Sequence, residues 1–221
     1  MNTNDIVNVK IGGIDKGKPK LKADGCILPF YKTKKALNDL DYYNKFIKSV
    51  ESMIRRSKEY KSYKKYIMED IGINYDQVMP NINADLDEKI TIEMHHGPIL
   101  TLYDYCSIVT DHLLENKMPV TSFRIYKLVL DEHFSNHVQI VMLSDLSHKL
   151  FHSGDLYINP KQAWGDIRPF LEKYSDGVSD RMATIINKNI DIASRFHSFD
   201  KNGILDVNTV ERWDDKDEID R

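Results

Sequence analysis

The sequence predicts an α+β protein, mostly helical, with a small core of two strands plus a helix interrupted by a helical insertion. Three observations lead there. Apolar residues recur at three- and four-residue intervals over most of the 221 residues, the spacing of a helix with one buried face. Two short runs break that rhythm: KITIEMHH (89–96) alternates apolar and polar residues, and VQIVML (138–143) is rich in β-branched residues, so both read as strands. Directly after the second strand, Ser144 or Asp145 can cap a short helix that ends at Ser153-Gly154.

Residues 1–35 read as a basic, flexible N-terminal segment, because KGKPKLK (16–22) has neither periodicity. Residues 36–80 form a basic helical region. Leu37, Leu40, Tyr43, Ile47, Val50 and Ile54 set a helical pattern that starts near Lys34, and Tyr60, Tyr63 and Tyr66 continue it to about Met68. Pro80 and NINAD mark a boundary. Residues 85–175 hold the strand–strand–helix module, with its helical insertion at 100–134 made of helices 101–115 and 122–134. A further helical segment carries Trp164, Phe170, Leu171 and Tyr174. Residues 176–221 form a helical C-terminal region, helical over 178–196, that closes on the acidic tail WDDKDEIDR.

Composition excludes several classes of function. Every apolar run is interrupted well short of the ~20 residues a membrane helix needs, so no membrane partner is expected. The N-terminus lacks an apolar core, so a cytoplasmic location is expected. Cys26 and Cys106 are too few and too far apart for a disulfide framework or a cysteine zinc knuckle. The net charge of −3 conceals an asymmetry. Residues 1–66 carry 16 basic and 7 acidic side chains (+9), and the rest carries 15 and 27 (−12). A basic third of this kind suits a nucleic-acid contact or an intramolecular charge complement. Lys34, Lys35, Arg55, Arg56, Lys58, Lys61, Lys64 and Lys65 are the candidates for neutralising phosphates, and Tyr60, Tyr63 and Tyr66 either stack on bases or lie in the core.

Four of the eight histidines fall in two pairs. His148 and His152, spaced i, i+4 on a predicted helix, put two imidazoles on one face, one turn apart, where a single divalent ion can bridge them. His95 and His96 end a strand, where successive side chains point to opposite sides, so both are not expected on one ion. One would complete a metal site, leaving its neighbour free for proton transfer near neutral pH.

The order strand–HisHis, strand, helix–HxxxH resembles the HNH (ββα-metal, His-Me finger) endonuclease family, and especially its all-histidine colicin-DNase version. The segment Gln139-Ile140-Val141-Met142-Leu143-Ser144-Asp145-Leu146-Ser147-His148, continued to His152, matches that family's second half in its hydrophobic positions and its HxxxH. Both knuckle cysteines are serines here (Ser144, Ser147), the middle Asn aligns with Gln139, and Pro98 comes one position early. The likeness covers roughly 88–160. The surrounding text, including EYKSYKKYIMEDIG and INPKQAWGD, also resembles tailed-phage proteins described as HNH endonucleases.

The resemblance implies a metal-dependent nuclease that hydrolyses DNA phosphodiester bonds, in a bacterial host cytoplasm if phage-encoded. His96 would be the general base, with Gln139 holding its tautomer. His95, His148 and His152 would hold one divalent ion (zinc, manganese, nickel or magnesium), with Glu93 as a supporting partner. The alternative is a catalytically inactive HNH-like protein, either nucleic-acid-binding or a phage structural or accessory component, in which the metal is structural. The serine replacements and Gln139 favour it. A zinc peptidase is disfavoured, because Lys149 stands where such enzymes place the base Glu.

Overall fold

The computed structural model describes residues 37–84 and 89–194. The expectations for the flexible N-terminal segment, Lys34, Lys35 and the acidic tail lie outside the described residues.

Helix α1 spans Leu40–Arg56, capped by the Asp39 carboxylate, which accepts from the Tyr42 amide at 3.0 Å. The continuous helical pattern through Met68 is broken at Ser57. Its backbone is extended, its hydroxyl donates to the last turn of α1 (Ile54 O, 2.7 Å), and the same oxygen accepts from Tyr60 N at 3.1 Å to start α2, Lys58–Glu69. One serine therefore closes one helix and opens the next. Phe46, Ile47, Val50 and Ile54 of α1 and Tyr60, Tyr63 and Ile67 of α2 are buried.

Strand β1 is Ile92–His96 and β2 is Ile140–Ser144, paired antiparallel with Met94 opposite Met142 and His95 opposite Val141. Between them, α3 (Leu102–Glu115) begins with a Thr101–Asp104 capping box, and α4 (Ser122–Phe134) is capped by Thr121. Both match the predicted insertion. They pack with α1 into a helical bundle that buries Leu102, Tyr105, Ile108, Leu113, Ile125 and Val129. Helix α5, Asp145–Ser153, leaves β2 through its cap Ser144, and Gly154 stops it at φ 83°.

The region around Trp164 is corrected from helix to extended chain. Trp164 pairs as an isolated bridge with Ile140 (2.9 and 2.8 Å), on the edge of β2 away from β1. Farther along that edge, Gln77 accepts from the Met142 amide through Oε1 (2.7 Å) and donates its own amide to Met142 O (2.9 Å). Unpaired edge groups thus find partners without a third strand. Only Arg168–Lys173 of that segment is helical (α6), followed by α7, Asp180–Ser194.

The two faces of the sheet differ, and this decides the site. Ile92, Met94, Ile140 and Met142 face the large core shared with the helices. On the other face, Val141 and Leu143 join Ile158 in a smaller cluster against which Phe151 of α5 packs. With the period of two along a strand, His96 belongs to the first face and His95 to the second.

Candidate metal centre

His95 reaches the cluster from β1, and His148 and His152 reach it from α5, which lies against both strands. Each can offer a ligand nitrogen, and these atoms lie within 4.8 Å of one another. The Nε2 atoms of His148 and His152 are 2.9 Å apart. Two imidazole nitrogens sharing one tetrahedral ion at the usual bond length stand about 3.3 Å apart, so this hydrogen-bonded pair needs only a small separation to ligate together. The His95 ring centroid is 5.0 Å from that of His148 and 5.2 Å from that of His152.

The surroundings prepare the ligands. Glu93, two residues before His95 and on the same face, has Oε2 2.7 Å from His148 Nδ1. An Nδ1–H donating to that carboxylate leaves the His148 Nε2 lone pair directed at the cluster, the arrangement that fixes metal-binding histidines elsewhere. Burial, reinforced by the neighbouring His148 and His152, pushes His95 down to about 4, so its ring is neutral across the physiological range. Its Nε2 is buried without a hydrogen-bond partner, a deficit that a metal bond removes. Gly97 keeps this region open. At φ 151° it has a conformation L side chains rarely adopt, and a Cβ there would stand 3.3 Å from His95 Nε2. Three imidazole ligands suit zinc, nickel or copper far better than magnesium, which prefers oxygen ligands.

His96 is not brought to this cluster. It is 2% exposed, stacked on Tyr60, with Nε2 2.9 Å from His133 Nε2. The chemistry of the partners fixes the protons. His133 Nδ1 faces the Val129 carbonyl (2.7 Å), which only accepts, so His133 carries its proton there. His133 Nε2 must then accept from His96 Nε2–H. His96 Nδ1 is left as a buried lone pair with no partner. Burial, then the neighbouring His133, holds His96 well below its ordinary value, and burial holds His133 at about 4.

Gln139 was expected to orient His96, but the ring's partner is His133. Gln139 donates its amide to the Tyr105 hydroxyl (2.9 Å) and its Nε2 to Pro160 O (3.4 Å). The sequence signal for His133 was weak, since a histidine in the last turn of a helix reads first as a dipole partner. His137, between α4 and β2, bonds Glu132 at 2.7 Å instead of joining the cluster.

Among the basic candidates, Arg55 pairs with Glu51 (2.9 Å) and Arg56 donates to Ser52 O (3.1 Å). Lys58 is exposed. Lys64 fastens α2 to the sheet through Ile92 O (2.9 Å). Lys61, Lys64 and Lys65 share the wall of an open groove of about 630 Å³ with Gly72 and Asn74. Tyr60 and Tyr63 lie in the core, and Tyr66 is partly exposed.

Fold and site together define a mostly helical α+β protein with a three-histidine candidate metal centre between a strand and the helix packed on it. The model of the bacteriophage G278-like virion protein family matches residues 2–218, and the chain belongs to that family. That description carries the phage origin expected from the sequence and names a virion protein, with no nuclease in it. No curated protein and no solved structure matches the chain. Among the described residues, no helix is long and apolar enough to cross a membrane.

Proposed function

We propose that this chain is a structural or accessory component of the virion, in which a divalent ion on His95, His148 and His152 clips β1 to α5. The observation that carries this reading is the separation of the two strand histidines. The ligand set gathers on one face, while His96, the residue a nuclease would use as base, is buried on the other in a bond to His133. A small two-stranded sheet with one short helix has little core of its own on that face, so a metal cross-link there adds directly to its stability. The ion of choice is zinc or nickel, and virion assembly places the protein in the bacterial host cytoplasm.

The second reading is a metal-dependent DNA endonuclease. It is supported by the order of the histidines and by the exposure of His152, which leaves an ion an open position for water. Bound metal would there supply a water nucleophile and stabilise charge developing on phosphate. Arg55, Arg56, Lys58, Lys61, Lys64 and Lys65 would hold the DNA backbone. His96 would have to leave its buried site to act as base.

One experiment tests both. Metal content and plasmid nicking are measured with manganese, magnesium, zinc and nickel for the wild type, His148→Ala and His96→Ala. The clip reading expects one ion per chain, lost in His148→Ala and kept in His96→Ala, with no nicking. Metal-dependent nicking abolished by His96→Ala would replace it with the nuclease. Absence of bound metal in the wild type would refute both.

A further inference from the structure

Among the described residues, one fully buried carboxylate outside the histidine cluster has partners that lead to it. Asp76 has no exposed surface. Its Oδ2 accepts from the Ser144 amide (2.9 Å) and the Ser144 hydroxyl (2.5 Å), and its Oδ1 accepts from the amides of Val78 (2.9 Å) and Met79 (3.0 Å). Ser144 is at once the last residue of β2 and the cap of α5, its oxygen accepting from the Ser147 amide at 3.3 Å. Burial alone would raise the Asp76 carboxyl. Hydrogen bonds from the Ser144 hydroxyl and from the Ser144 and Met79 amides outweigh it and hold the group below the usual carboxylate range, so it is charged.

We infer that Asp76 is the positioning residue of the three-histidine site: its buried carboxylate fixes where and in which direction α5 leaves β2, and thereby holds His148 and His152 against His95. The metal-binding consequence rests on the clip reading of that site. The path is short. Asp76 grips the residue at which strand becomes helix, His148 lies one turn beyond, and His152 lies two turns beyond. Next to it, Gln77 is bonded on both sides to Met142, so the Asp76-Gln77 pair is itself anchored to β2 and cannot drift with the helix. A negative charge at the start of α5 also stabilises the amides that open the helix. His95 comes from the other strand. The three rings therefore meet only if the angle between α5 and the sheet is held, and α5 has only nine residues to hold it by itself.

The test uses the full chain with Asp76→Asn, the milder Ser144→Ala, and Tyr43→Phe as a remote control. Tyr43 bonds Ser107 and Asp111 far from α5, so its loss lowers stability without touching the helix start. Two readouts are taken at a temperature where circular dichroism shows every variant folded. One is cobalt(II) affinity with its visible spectrum. The other, made without metal, is the set of nuclear Overhauser contacts between the His95 ring and the rings of His148 and His152. Asp76→Asn should weaken cobalt binding at least tenfold, change the spectrum and lose the ring contacts, while contacts between β1 and β2 persist. Ser144→Ala should do the same to a smaller degree, and Tyr43→Phe should do neither. Ring contacts and cobalt affinity unchanged in both α5-start variants would overturn the inference. If the wild type binds no cobalt but the variants still lose the ring contacts, the clip reading fails and the positioning role stands.

Discussion

Acid should unfold this protein through its buried histidines before its carboxylates. The perturbation is a fall in pH from 7.5 to 4.5. His133 is held at about 4 by burial, against an ordinary value of 6.5 in the unfolded chain. A histidine whose folded value is depressed contributes stability that is present above about 6.5 and is lost as pH falls toward about 4, because the unfolded chain takes up a proton that the folded one refuses. At about 1.4 kcal/mol per pH unit, full expression of this shift amounts to about 3 kcal/mol. His96 acts in the same direction from the same enclosure. A loss of this size is a large fraction of the ~5–15 kcal/mol that holds an ordinary domain together. The assay is urea unfolding at half-unit pH steps, with chelator present so that metal plays no part. A double variant, His96→Phe with His133→Leu, removes both titrating rings while keeping the pocket apolar. The wild type should lose at least about 2–3 kcal/mol between pH 6.5 and 4.5, and the double variant should lose distinctly less. Identical slopes in the two proteins would refute the assignment of the pair as buried, neutral and hydrogen-bonded.

Two further predictions concern single residues. Gly97→Ala places a Cβ 3.3 Å from His95 Nε2 in a backbone conformation that costs an L residue about 1–3 kcal/mol, so calorimetry should show lower stability and metal titration about tenfold weaker binding. Asp111, raised to about 6 from 3.8 chiefly by burial, favours folding only while protonated, and that contribution is lost as pH rises through about 6. Asp111→Asn should therefore stabilise the protein at pH 7.5, by about 1–2 kcal/mol after allowance for solvent screening, and have little effect at pH 4.

Much of the fold was legible because local rules settle it. The insertion helices follow from their caps, Thr101 with Asp104 and Thr121, and from apolar residues at helical spacing. Helix α5 follows from Ser144 at its start and Gly154 at its end. Two features were not legible. Helical periodicity runs through Ser57 without a gap, and only the extended backbone at that serine separates α1 from α2. Trp164 sits among residues with helical spacing, yet the open edge of β2 takes its backbone, because unpaired amides there cost more than a helical turn gains.

For the site, the sequence by itself determined the ingredients: two histidines one turn apart on a helix and two at a strand end, with the rule that the strand pair must split between faces. Alternation alone could not say which of His95 and His96 would face α5, since a period of two is symmetric until one face is buried against something; only the family resemblance singled out His95. Tertiary structure broke that symmetry. The helical bundle covers the face of Ile92, Met94 and His96, and supplies His133 from α4 as a partner no local pattern indicates. Asp76 was invisible for the same reason. It lies 68 residues from Ser144, and a carboxylate in a polar loop becomes informative only when the fold buries it against the residue that starts a helix.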